Sequence, residues 1–396
     1  MKNSFIWSDN WWVENEKAWF VDGETNILFQ IDLNTQECKL IAELPNIEKN
    51  TFRLNPRCIK YENDIYCMPD TGDCIWVYQL ECEQFTQIQI NTPPKVRLGV
   101  NFFWIYNEKI WAVSVGLSKI LEIDTNGKKI DNYYNIGGQI STTIMVQDSI
   151  YCVSPVKNCI YQFDLVTKKC IEHIIPNVKG GLRTICFNSD SFWLSGYHKE
   201  IYIWNKEKNM VKMLDKFPIE FGIYNYEKNN KLILDCDSDC YDVATFLSSI
   251  FVGRYIWFIP FRTNRIIYVD KDTYEINVFE ILEEEETESS LLSNRMKHKY
   301  LLEYIRDNRY IGLYSLKNKC MLEIDTNERK IEWREYFFNN ESLQKMAFLF
   351  DEQKMVFLEE NSIYREAYKI KLEKNNIAKK DRLYESIGLK IYRKIC

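Results

Sequence analysis

Three histidines, His173, His198 and His298, are the only side chains of this 396-residue sequence that titrate near neutral pH without perturbation. Acid–base catalysis needs an imidazole set against a carboxylate or a second base. His173 falls in a strand-like stretch, Cys170-Ile171-Glu172-His173-Ile174. That leaves His198 and His298 as the pair that could share one face, and no carboxylate is placed for them by any local motif.

Asp235-Cys236-Asp237-Ser238-Asp239-Cys240 alternates carboxylates as a calcium loop begins, but Cys240 stands where such a loop needs Gly and Phe246 where it needs a bidentate Glu. No second Cys or His pair completes a zinc site. A Gly-rich phosphate loop, a nucleophile elbow and a dinucleotide fingerprint are all missing. The sequence therefore predicts no metal, no cofactor and no catalytic constellation. It does offer guanidinium groups. Arg53, Arg57, Arg97 and Arg183 carry planar donor forks that match carboxylate or phosphate, provided the fold brings them together.

The elements that would do so are visible as an internal repeat. A hydrophobic–aromatic pair is followed, after a turn, by an apolar stretch that ends in Asp or a close substitute. The copies are Ala18-Trp19 with Asp32, Ile65-Tyr66 with Gln79, Ile110-Trp111 with Asp124, Ile150-Tyr151 with Asp164, Phe192-Trp193 with Asn205, Ile256-Trp257 with Asp270, and Ile311-Gly312 with Asp325. The offset from the second residue of the pair to the polar residue is 13 in six copies and 12 at Asn205. Start-to-start spacings of 47, 45, 40, 42, 64 and 55 suit four short antiparallel strands per copy. The pair lies on the second strand, and the Asp ends the third before a turn whose amides it bonds. These acids are turn formers, not a catalytic series.

The reading is all-β: a single β-propeller of four-stranded blades near 9–45, 56–91, 98–136, 140–176, 182–216, 245–282 and 298–337. An eighth blade is expected at 344–371, with 4–7 supplying its missing strand and sealing the ring, so eight blades are favoured over seven. Segments 217–244 and 283–297 are insertions, the first containing a hairpin, and 381–396 is a tail.

Composition agrees. Aromatics make up 15% of the chain, and 57 acidic against 51 basic residues leave a net charge of −6 with no broad basic field for nucleic acid. Neither a secretory leader nor a membrane span is legible. The 13 cysteines, mostly at strand-like positions such as Cys67, Cys152, Cys159 and Cys186, suggest free thiols in a reducing cytoplasm.

With its blade pattern, the sequence resembles the broad kelch-like and WD-repeat-like propeller group over residues 5 to 370. The double Gly of kelch blades is displaced here to Gly137-Gly138 and Gly180-Gly181, before a first strand, and the Trp-Asp of WD repeats is approached only by Trp204-Asn205. The resemblance implies a central channel, first strands lining it, and one face built from the fourth-to-first and second-to-third connections. It passes on no catalytic residue. Aligning the first strands places Asp9, Arg57, Thr142 and Arg183 at the channel mouth, with Arg97 and His298 close by. The second-to-third connections add Asp70, Tyr197, His198, Phe261 and Arg262 on the same face. The expected function is non-enzymatic binding of a peptide, protein or small anionic ligand at this mouth, with no role for nucleic acid or membrane. The alternative is a propeller lyase or hydrolase acting through His198, His298 and mouth carboxylates.

Overall fold

The structure, a computed structural model, describes residues 8–349 apart from 9, 24, 46–53, 92–95, 179, 198–199, 219–225, 229–230, 234–245, 261–262, 282–299, 316–317 and 319. Seven antiparallel four-stranded sheets follow one another along the chain, at 12–43, 57–89, 100–135, 142–174, 182–214, 246–280 and 300–334. In each, the strands pair in sequence order, here called a to d from first to last. A two-stranded hairpin, Tyr226–Lys228 with Lys231–Ile233, lies between the fifth and sixth sheets.

Strand b explains why the repeat reads as it does. Its successive side chains point to opposite faces, so each blade touches one neighbour with the first residue of the pair and the other neighbour with the second. Ile65 packs toward blade 1, in a cluster with Trp19 and Val21, while Tyr66 packs toward blade 3 with Val100 and Ile110. Trp111 likewise meets Ile150 and Cys152 of blade 4, and Trp193 meets Ile256 and Phe258 of blade 6. Seven such clusters join blade 1 to 2, 2 to 3 and onward until blade 7 meets blade 1. The sheets therefore close into a ring: the molecule is a seven-bladed β-propeller.

The acids that end strand c build turns. Asp32 Oδ1 accepts the amides of Asn34 (3.0 Å) and Thr35 (2.8 Å), and Asp164 Oδ1 those of Val166 (3.0 Å) and Thr167 (2.6 Å). Asp270 and Asp325 repeat the arrangement. These bonds to the charged form hold the Asp32 and Asp164 carboxyls below the usual carboxylate range. Four residues further on, all seven c–d turns place a left-handed residue: Gln36, Glu83, Lys128, Lys168, Asn209, Tyr274 and Arg329. Several of these reach back to the preceding blade. Lys168 Nζ stands 3.9 Å from the ring centroid of Trp111, Tyr274 lies 5.9 Å from Trp193, and Arg329 sits 5.0 Å over Tyr268.

An eighth blade does not form. Residues Asn340–Leu349, whose apolar run 346–350 reads as its first strand, are helical and are called α1. Asn339 caps α1, its Oδ1 accepting the Ser342 amide at 2.8 Å and its carbonyl that of Leu343 at 3.0 Å. Leu343 and Met346 then bury against blade 1. Helix wins because the cap satisfies its first amides and one face of it finds a core. The remainder of the expected blade, 350–371 and 4–7, lies outside the described residues.

The ring is instead closed at the seam between blades 7 and 1. The Trp11 amide donates to the Glu303 carbonyl at 2.9 Å, and Phe337–Phe338 adds a fifth strand, parallel to Glu37–Glu43, on the outer edge of blade 1. Among the described residues, no helix is long and apolar enough to cross a membrane.

Candidate functional site

Because strands alternate in direction, the d-to-a and b-to-c connections share one face, the front, and the a–b and c–d turns share the back. The front connections are held by buried polar groups. Asp22, Asp70, Ser114, Ser154 and Ser315 begin or enter the b–c loops with no exposed surface. Asp22 Oδ2 accepts Thr25 N at 2.8 Å, Ser154 Oγ accepts Lys157 N at 3.2 Å, and Ser315 Oγ accepts Asn318 N at 3.1 Å. Asn55 donates to the carbonyls of Cys67 (2.8 Å) and Cys74 (2.9 Å). Loops tied down at their roots in this way present a fixed surface.

Asp70 and Arg97, assigned from sequence to the loop face and to the mouth, meet each other. Arg97 Nε and Nη2 donate to Asp70 Oδ1 and Oδ2, both at 2.8 Å. Asp70 is wholly buried, whereas the Arg97 side chain is 63% exposed. The pair pins the b–c loop of blade 2 to the connection entering blade 3, and leaves Asp70 no surface for a ligand. Arg57 heads strand a of blade 2, half-buried opposite Met68. Thr142 holds the equivalent place in blade 4, opposite Val153.

Arg183 is placed differently. In blade 5, Leu182 pairs with Gly196 and Thr184 with Ser195, so Arg183 bulges from strand a with no residue opposite it. A bulge re-aims a side chain at a sheet rim, and this one is clamped. Ser141 Oγ donates to the Leu182 carbonyl at 2.9 Å, the Leu182 amide donates to Ser154 O at 2.7 Å, and Thr184 Oγ1 lies 2.7 Å from Ser195 Oγ. A Cβ on Gly196 would sit 2.7 Å from the Gly181 carbonyl, and one on Gly181 would collide with that of Pro155. Glycine at both positions is thus what lets three backbones meet beneath the bulge. Arg183 is half-exposed and forms no ion pair among the described residues.

Tyr197 follows Gly196 in the adjoining b–c loop, half-buried. Blades 2 and 5 are three steps apart, the widest separation in a ring of seven, so Arg57 and Arg183 stand on opposite sides of the mouth. Asp9, His198, His298, Phe261 and Arg262 lie outside the described residues. The clamp residues Ser141, Ser195 and Gly196 fall outside the repeat signature. The one trace of the clamp in the sequence is the glycine run at 180–181 before strand a.

His173 lies on the outer strand Cys170–Ile174, its Nε2 2.9 Å from Gln162 Oε1 and its ring against Trp204. Burial lowers its pKa, which suits a neutral structural imidazole. No group of His, Cys, Asp and Glu among the described residues is arranged to hold a metal.

Solved structures share this architecture. A streptogramin B lyase structure superposes with a TM-score of 0.55 at 15% identity, covering 84% of this chain and 95% of that one. PorZ, a surface component of the type-IX secretion system of Porphyromonas gingivalis, gives 0.54 at 9%, over 84% of this chain and 39% of PorZ. The computationally designed Ika8 protein gives 0.52 at 6%, over 83% and 86%. What these proteins share with the chain is its fold. No protein-family description and no curated sequence matches it, and a propeller alone specifies no activity.

Proposed function

We propose that the chain is a non-enzymatic binding propeller that takes an acidic peptide or a small anionic ligand at the front mouth of its channel, with Arg183 as the anchor. The observation that carries this reading is the clamped bulge, which fixes the backbone of a half-exposed Arg183 at the rim, its side chain in no ion pair among the described residues. A guanidinium in that state binds carboxylate or phosphate without first breaking an internal pair. The buried thiols of Cys67, Cys152 and Cys186 fit a reducing, cytoplasmic setting.

The test uses a fluorescein-labelled oligoglutamate peptide and inorganic phosphate as probes, titrated into wild-type protein and Arg183→Ala. The reading expects peptide affinity to fall about tenfold or more in the variant, as loss of a charge-assisted bond implies, and to weaken with added salt in the wild type. Equal affinity in both proteins, with the thermal midpoint unchanged, would remove the anchor. The enzymatic alternative needs His198 and His298, both outside the described residues, and no observation favours it.

A further inference from the structure

Cys58 and Cys67 face each other across strands a and b of blade 2. They form a non-hydrogen-bonded pair: the Cys58 amide donates to Asn10 Oδ1 (3.0 Å), the Cys58 carbonyl accepts from Asn10 Nδ2 (3.0 Å), and the Cys67 carbonyl accepts from Asn55 Nδ2 (2.8 Å). The flanking polar groups are thus satisfied by side chains and not by each other. Opposed residues at such a site have Cα atoms about 4.5 Å apart and side chains on one face. That separation falls at the short end of the roughly 4.4–6.8 Å range that disulfides span. Both thiols point into the seam with blade 1, fully buried, and Cys58 Sγ donates to the Trp19 carbonyl at 3.3 Å.

We propose that Cys58 and Cys67 are a latent cross-strand disulfide site, closed by a small peroxide and reopened by a thiol reductant. The pair is reduced in the structure. Burial pushes the Cys58 thiol up to about 12 and raises that of Cys67 well above the usual thiol range, so both rest protonated and oxidation waits on opening of the seam. One sulfur, as thiolate, attacks hydrogen peroxide to give a sulfenic acid and water. The second sulfur displaces the hydroxyl to form the S–S bond and a second water. Two S–H bonds and the O–O bond are broken, and the peroxide takes both electrons. A thiol reductant reopens the bond by thiol–disulfide exchange when the seam opens again, which makes the site reversible. The inference is independent of the binding reading.

The full chain is first treated with iodoacetamide under native conditions to block exposed thiols such as Cys82 and Cys170. It is then held for hours with hydrogen peroxide, unfolded, labelled with N-ethylmaleimide and mapped by mass spectrometry. Cys186, buried without a cysteine opposite it in strand b, is the internal control. The expected result is that Cys58 and Cys67 leave the maleimide-labelled pool together and appear as one linked peptide about 2 Da lighter. Dithiothreitol restores both, and Cys186 labels throughout. Labelling of Cys58 and Cys67 equal to that of Cys186 would overturn the proposal. So would loss of labelling without the linked peptide, which signals sulfinic acid.

Discussion

The ring of Tyr304 fills the space that a side chain at Gly312 would need: a Cβ built on Gly312 would collide with it. Tyr304 and Gly312 are paired across strands a and b of blade 7, and the other six blades carry Trp or Tyr at the position of Gly312. Blade 7 supplies its aromatic from the neighbouring strand. The substitution has a reason, since Tyr304 stacks on Trp11 at 5.6 Å and donates to Glu323 Oε2 at 2.8 Å, joining the seam cluster to a buried carboxylate. Glu323 is held ionised there despite its burial, by Arg334, Tyr304 and Arg306.

Gly312→Ala should therefore destabilise the protein by about 1–3 kcal/mol, the usual cost of overpacking a core. Tyr304→Ala should cost more, because it leaves a cavity and removes a donor from Glu323. The double variant Gly312→Trp/Tyr304→Ala, which restores the common arrangement, should be more stable than Tyr304→Ala alone. Urea midpoints at constant m-value check all three, and a double variant no better than the single would show that the two positions do not share one space.

Lys168 over Trp111 predicts a smaller effect. A cation placed over an indole contributes about 0.5–2 kcal/mol, depending on desolvation, and Lys168 also lies 3.9 Å from Glu122. Lys168→Met keeps the stem and loses the charge, so it should lower stability by about 1 kcal/mol. Added salt should narrow the gap, since the Lys168 side chain is one-third exposed and its attraction to Glu122 is screened.

Acid should unfold the ring through two carboxyls. Burial alone would raise the Glu122 pKa, but bonds from Lys109, Tyr134 and Asn132 outweigh it and hold it at about 2, against 4.5 unfolded. Asp325 is brought to about 2 from 3.8, chiefly by Arg309. Both pKa values are depressed by folding, so their stabilisation is complete above about pH 5 and fades as pH falls toward 2. Glu122→Gln should be less stable than wild type at pH 7, with the difference shrinking steadily down to pH 2. Urea midpoints at several pH values measure it, and a constant difference would contradict the assignment.

The seam strap should be needed for closure. Phe338 packs on Phe29 at 5.3 Å, Ser342 Oγ accepts the Leu40 amide at 3.0 Å, and Asn339 Nδ2 donates to Glu37 at 2.6 Å. Phe338→Ala should cost about 3–5 kcal/mol, as buried Phe truncations do. It should also raise the rate of limited proteolysis between blades 7 and 1 before other seams are cut. Uniform cleavage at all seams would show that the strap has no special role.

Much of the ring was legible because the repeat is a packing requirement. Each strand b must present one apolar residue to each neighbour, and each strand c must end in a turn, so the same pair and the same Asp recur from Trp19 to Asp325. The eighth blade failed where local and long-range signals part. The apolar run 346–350 suits strand or helix equally, and the choice fell to the cap from Asn339 and the burial of Met346 on blade 1, some 300 residues away in sequence.

The mouth divides in the same way. Alignment of the copies gave Arg57 and Arg183 equivalent places on strand a with Arg97 close by, and the resemblance to propellers assigned those places to the channel mouth. That Arg97 is bound to Asp70, 27 residues earlier, and that Arg183 stands on a clamped bulge, follow from contacts between neighbouring blades. A repeating chain encodes its spacing in every copy, whereas pairing between copies exists only once the sheets are packed. Residue order thus determined the blades, and the closed ring decided which arginine is tied to a buried carboxylate and which stands on a bulge.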